Sequence, residues 1–195
     1  MSATAGATEY YSTSEACTTP APGIMLTARE GLFSRLIRKR TRGPWSHVML
    51  HLGGLQVASQ ELFYHQRLAD EVSRPGYRIW LYESPLEIWP IIRQHAGRRL
   101  GQRWHQRLYD WLGVVGHALG LRWLHIPSRY YCSEDVAQVL AAIQEHYAAD
   151  DTLCTRADTE LLPPRRCKTP SEVADWLERL QFLDPRWRVH KWETI

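Results

Sequence analysis

The stretch Trp45-Ser46-His47-Val48-Met49-Leu50-His51-Leu52-Gly53-Gly54 decides how the chain is organised. Val48, Leu50 and Leu52 alternate with His47, Met49 and His51, the period-two pattern of a strand with two distinct faces. Gly53-Gly54 is a hairpin dipeptide, so Leu55 to about Ser59 is predicted to return antiparallel beside the histidine strand. Upstream, Gly23-Ile24-Met25-Leu26 follows Pro20 and Pro22 as a short apolar run and reads as another strand. Downstream, Tyr77-Arg78-Ile79-Trp80-Leu81-Tyr82 reads as a third segment of the sheet, and the expected arrangement is a meander around His47.

Helical spacing fills most of the remainder. Residues 29–39 are periodic, with Leu32, Phe33, Leu36 and Ile37 predicted as an apolar face beneath the charges of Arg35, Arg38, Lys39 and Arg40, and Thr41-Arg42-Gly43-Pro44 ends the run. That basic segment reads as a solvated helix face rather than a nucleic-acid site. Leu86 to Leu108 is helical and Arg-rich, with a break at Gly97 or Gly101. Val136, Val139, Leu140, Ile143 and Tyr147 recur at helical spacing, which sets Cys132 at or just before the first turn of a core-packed helix. Thr169-Pro170-Ser171-Glu172 is a capping box with proline at the first helical position, followed by an apolar stripe of Val173, Trp176, Leu177 and Leu180. Residues 148–168 read as a loop, and an aromatic segment near Trp187 to Trp192 closes the chain.

Length and composition bound the rest. At 195 residues, 44% hydrophobic and 23% charged, the chain suits one globular domain with a real core. Residues 1–22, rich in Ser, Thr, Ala and Pro, read as a flexible leader, and 23–195 as the domain. The nine tryptophans are expected in the core and along a cleft. A net charge of +3 is too small to imply a specific nucleic-acid partner. No run reaches the length of a membrane span and the N-terminus lacks the pattern of a secretory signal, so a cytoplasmic location is expected. Cys17, Cys132, Cys154 and Cys167 contain no CxxC pair, and neither a zinc ribbon nor a disulfide framework is indicated. A zinc site drawing on Cys132, His146, Cys154 and Cys167 is a weaker alternative, because the intervals match no compact finger.

The chemistry concentrates in Tyr130-Tyr131-Cys132-Ser133-Glu134-Asp135-Val136. A thiol at a helix start gains from the unpaired N–H groups and the dipole there, and an imidazole within reach would act as base. Glu134 and Asp135 favour the helix start but oppose a thiolate, which leaves His47 to supply most of the activation.

These residues carry a resemblance. The order of apolar strand, amphipathic helix, Ser46-His47-Val48 strand, Gly53-Gly54 hairpin, Tyr109-Asp110-Trp111-Leu112-Gly113 and Tyr131-Cys132-Ser133-Glu134 is similar to the circularly permuted branch of the NlpC-like papain-fold cysteine hydrolases. It is clearest over residues 23–140 and resembles phage- and prophage-encoded members in particular, which implies a phage-encoded or virion-associated setting. The resemblance implies an α+β fold, a small antiparallel sheet packed on helices, with Cys132 as nucleophile and His47 as general base and then general acid. It implies Tyr109 as an aid at the oxyanion, together with the backbone N–H of Cys132 or Ser133, and Asp110 and Glu134 as supporting residues. The third, orienting member falls on Ser59, with Gln60 or Glu61 reachable by a small shift. The implied activity is a cysteine hydrolase, of amidase or peptidase type, or an acyltransferase, on a small-molecule, peptide or acyl substrate, with no metal or organic cofactor. A binding or virion-associated module that keeps the fold without the activity is the alternative.

Overall fold

A computed structural model of the chain describes residues 21–54, 56–60, 64–68, 77–107, 110, 132–149 and 169–193. Among the described residues six strands form one sheet: β1 (Gly23–Arg29), β2 (His47–Gly53), β3 (Gln56–Gln60), β4 (Tyr64–Leu68), β5 (Tyr77–Glu83) and β6 (Arg188–Glu193). Their order is β4-β3-β2-β1-β5-β6, and every neighbouring pair is antiparallel. Four α-helices are described: α1 (Leu32–Thr41), α2 (Trp89–Leu100), α3 (Cys132–Ala148) and α4 (Pro170–Leu183). The class is α+β with a small antiparallel sheet, as the sequence predicts. None of the described helices is long and apolar enough to cross a membrane.

β1 lies at the centre because its sequence, Gly-Ile-Met-Leu-Thr-Ala-Arg, offers apolar side chains to both faces, and all but Arg29 are buried. It pairs with β2 from Gly23 opposite His51 to Thr27 opposite His47, and with β5 from Gly23 opposite Glu83 to Arg29 opposite Tyr77. Gly23 is required there, since a Cβ would stand 2.2 Å from the carbonyl oxygen of Tyr82. The β2–β3 turn runs through Gly53 at φ 96° and Gly54 at φ 61°, values that other residues adopt only with strain. The meander expected around His47 is corrected in one respect: β5 does not adjoin the hairpin but pairs with the far edge of β1. The place beside β3 belongs to β4, paired from Gln56 opposite Leu68 to Gln60 opposite Tyr64. Its sequence, Tyr-His-Gln-Arg-Leu, lacks the apolar alternation that marks a strand, and suits an edge.

The alternation divides the sheet into two faces. Ile24, Leu26, Ala28, Val48, Leu50, Ala58 and Tyr82 join the helices in the larger core. From α2 that core takes Ile92 and Ala96, from α3 Val136, Val139, Leu140, Ile143 and Tyr147, and from α4 the predicted stripe of Val173, Trp176, Leu177 and Leu180. The other face carries Met25, Met49, Val57, Ile79, Leu81 and Trp192 as a second buried cluster. Trp45, Trp176, Trp187 and Trp192 are all buried, consistent with the expected use of indoles as core volume. Helix α1 departs from expectation: Leu32 and Leu36 are exposed, and it is Ser34 that turns inward.

Polar contacts fix the ends of the helices. Arg42, in the left-handed region at φ 54°, closes α1 by donating its N–H to the carbonyl of Arg38. At α4, Thr169 Oγ1 accepts the Glu172 N–H at 3.2 Å and Glu172 Oε2 accepts the Thr169 N–H at 2.8 Å, the reciprocal box read from the sequence. Beyond α4, Asp184 accepts from Tyr147 Oη at 2.7 Å and from Arg186 at 2.9 and 3.0 Å, while Trp187 Nε1 donates to Tyr147 Oη at 2.9 Å. Burial opposes ionisation of Asp184, but the bonds from Arg186 and Tyr147 outweigh it and hold the carboxyl below its ordinary range.

Two stability outcomes follow from these ends. Thr169→Ala removes one half of the capping box and is expected to cost about 1 kcal/mol in denaturant unfolding. Asp184 contributes stability that is complete above the unfolded carboxyl value of about 3.9 and is lost as pH falls through its depressed folded value. Asp184→Asn should therefore be less stable at neutral pH and show a shallower acid limb, and an acid limb identical to that of the parent would count against this network.

Candidate functional site

His47 is the first residue of β2, and its Nε2 lies 2.8 Å from Ser59 Oγ on β3. The register brings them together: His51 stands opposite Val57 and Leu50 opposite Ala58, so His47 and Ser59 share the face of Met49 and Val57. Ser59 is 1% exposed and His47 is partly exposed, which leaves the ring as the accessible member of the pair. With Nε2 engaged by the hydroxyl, Nδ1 is the nitrogen through which the ring would exchange a proton with a thiol. Of the three residues considered for the orienting position, Ser59 is thus the one described in contact with His47. The side chain of Gln60 and the whole of Glu61 lie outside the described residues, as does Tyr109.

Cys132 opens α3, as the apolar spacing predicts, and is a thiol rather than half of a disulfide. It is 5% exposed and belongs to the larger core with Val136 and Leu140. Helix α3 packs on β2 and β3, so the thiol's helix rests on the strand that carries His47. Strand alternation nevertheless assigns His47 to the face of Met49, whereas α3 packs on the face of Val48 and Leu50. Sheet backbone separates the two faces, so an encounter of thiol and imidazole has to take place past the N-terminal end of β2. His47 stands at that end, as the first residue of β2 directly after Pro44-Trp45-Ser46.

The first turn of α3 contains a group of charges only partly foreseen. Asp135 is buried, with Oδ1 at 2.8 Å from Arg99 Nε and 3.2 Å from His95 Nε2. Arg99 and Asp135 thus form a buried ion pair. Arg99 also bonds Gln102 Oε1. Asp135 was expected to oppose a thiolate, but a guanidinium at contact distance offsets that charge. The signal for this pair was in the sequence: Ile92, His95, Ala96 and Arg99 fall on one helical face, and a buried stripe interrupted by a histidine and an arginine calls for a buried anion. Asp110, part of the motif that carries the resemblance, is fully buried.

Other histidines have structural partners. His51 is fully buried with Nδ1 3.0 Å from the Ala21 carbonyl and Nε2 2.9 Å from the Gly54 carbonyl, and burial pushes its pKa down despite both oxygens. His190 Nε2 lies 2.8 Å from Glu83 Oε2, and its ring stacks on Trp192 at 5.7 Å. His146 is exposed near the far end of α3. It is fourteen helical steps from Cys132, roughly 21 Å at 1.5 Å per residue, so these two cannot share a zinc ion. Cys154 and Cys167 lie outside the described residues.

No family model, curated protein or solved structure matches the chain.

Arg99→Met leaves the Asp135 carboxylate buried without its main counter-charge and is expected to destabilise the fold by about 3–5 kcal/mol, whereas pairing it with Asp135→Leu should recover most of that loss. Denaturant unfolding of the two variants measures the difference; an additive effect would refute the coupling.

Proposed function

We propose that the protein is a cysteine hydrolase of amidase or peptidase type, or an acyltransferase, working through an acyl-enzyme on Cys132. The observation that carries this reading is the 2.8 Å contact of His47 Nε2 with Ser59 Oγ, because a base that must accept and return a proton needs its ring held in one orientation. Further support comes from Cys132 at the start of a seventeen-residue helix, whose dipole favours a thiolate and a developing oxyanion there. Offset of the Asp135 charge by Arg99 removes one electrostatic objection to that thiolate.

In this scheme Cys132 Sγ attacks the carbonyl carbon of an amide, peptide or thioester-like bond as His47 Nδ1 takes the thiol proton. The tetrahedral oxyanion is met by N–H groups of the first turn of α3, with Tyr109 proposed as an additional donor. Collapse expels the leaving group, which receives the proton from His47, and leaves a thioester on Cys132. Water or an acceptor nucleophile, deprotonated by the same imidazole, then releases the acyl group and restores the thiol. A non-enzymatic binding or virion-associated module is the second reading. It is favoured by the burial of Cys132 and by the assignment of His47 and α3 to opposite faces of the sheet.

The deciding experiment follows alkylation of Cys132 by a small electrophile against pH, with peptide mass spectrometry resolving each cysteine. For an assembled dyad, reactivity persists well below the ~8.5 of an ordinary thiol, falls by about 100-fold at neutral pH in His47→Ala, and falls less in Ser59→Ala. If Cys132 reacts no faster than Cys17 or ignores the loss of His47, the hydrolase reading is withdrawn in favour of the binding module.

A further inference from the structure

Helix α1 presents leucines where a solvated helix would present charges. Leu32 is 88% exposed and Leu36 is 54% exposed, one turn apart on the outer side. Ser34 is buried, its Oγ accepting the Arg29 N–H at 3.3 Å, and Ile37, Arg38 and Thr41 are partly buried. At about 100° per residue, these four mark the side of the helix that faces the protein. Leu32 and Leu36 fall near the middle of the opposite side. Arg35 and Lys39 lie along one flank of that apolar pair and Arg40 along the other, all three exposed. Arg42, also exposed, follows at the helix end.

The charge is as uneven as the apolar surface. Arg35, Arg38, Lys39, Arg40 and Arg42 place five cations between Leu32 and Gly43 with no acidic residue among them, more than the net +3 of the whole chain. Outward leucines flanked by cations suit an interface that is apolar below and anionic above. Apolar side chains sink to the level of the acyl boundary, and long basic side chains reach back to phosphates. A nucleic-acid surface would use the cations but gives no return for two leucines at the outermost position. An acidic protein partner would have to supply an apolar recess between its carboxylates.

We propose that α1 docks the protein on an anionic lipid bilayer, with Leu32 and Leu36 inserted and Arg35, Lys39, Arg40 and Arg42 on the lipid phosphates. The contact is peripheral and reversible, because one short helix with two inserted leucines buries little area, and it weakens with salt. It does not depend on the chemistry proposed for Cys132.

Co-sedimentation of the full chain with vesicles tests this directly. Vesicles containing phosphatidylglycerol should retain the protein about tenfold or more better than phosphatidylcholine alone, and high salt should abolish the difference. Leu32→Ser/Leu36→Ser should lower retention by a similar factor with an unchanged melting temperature, since both side chains are already in solvent. Equal retention on the two vesicle types overturns the proposal, as does undiminished retention of the double-leucine variant. Binding to duplex DNA that exceeds binding to the anionic vesicles and ignores the leucines would also overturn it, and would assign the cations to nucleic acid.

Discussion

Strand β1 is buried on both faces and paired along both edges, and that double constraint places the other elements. A strand without a polar face cannot lie at an edge or lean on solvent, so it must be covered on two sides as well as hydrogen-bonded on two sides. β2 and β5 supply the edges. Helices α2, α3 and α4 cover one face through the larger core, and the cluster of Met25, Met49, Val57, Ile79, Leu81 and Trp192 occupies the other. Gly23 shows how closely the edges are drawn in, since the Tyr82 carbonyl takes the space of a side chain there.

The two-sided sheet also governs the candidate chemistry. His47 and Ser59 meet because the β2–β3 hairpin, with a register shift between His51 and Gly53, sets Leu50 opposite Ala58 and His51 opposite Val57, and that register fixes the face. Slipping that register by one residue would turn Ser59 away from His47. Cys132 is placed by a separate rule, the apolar stripe of α3, which draws the helix onto β2 and β3. The candidate site thus has two independently positioned halves, one set by strand pairing and one by helix packing. The proposed hydrolase function requires them to converge at the first residue of β2.

Much of this was legible in the residues. Period-two alternation gave β2 and its two faces, Gly53-Gly54 gave the hairpin, and Thr169-Pro170-Ser171-Glu172 gave the start of α4, because each is a local pattern with a local cause. The position of β5 was not legible: its residues read as a strand, but whether it joins β3 or β1 depends on which edge is left open. β4 closes the β3 edge, and its polar sequence gave no sign of a strand. The outward turn of Leu32 and Leu36 was missed for a different reason. Helical spacing identifies an apolar stripe without saying which side the protein covers, and here Ser34 faces the end of β1 through its bond to the Arg29 N–H. The resemblance to the permuted NlpC-like branch selected Cys132, His47 and Ser59 together, and spacing alone would have paired none of them.

The start of α3 illustrates how one ion pair can serve two demands. Acidic residues in the first turn stabilise a helix by opposing its dipole, and Glu134 and Asp135 meet that demand. The thiolate of the proposed hydrolase would make the contrary demand, since a carboxylate one turn away raises the cost of its ionisation. Arg99 resolves the conflict from another helix: its guanidinium lies against Asp135 in a buried environment, where little solvent screens the pair. The acid can then remain at the helix start with a counter-charge at contact distance. Because Arg99 and His95 both belong to α2, the same contact fixes α2 against α3, so the charge of Asp135 is countered by groups held in the core rather than by a mobile surface side chain.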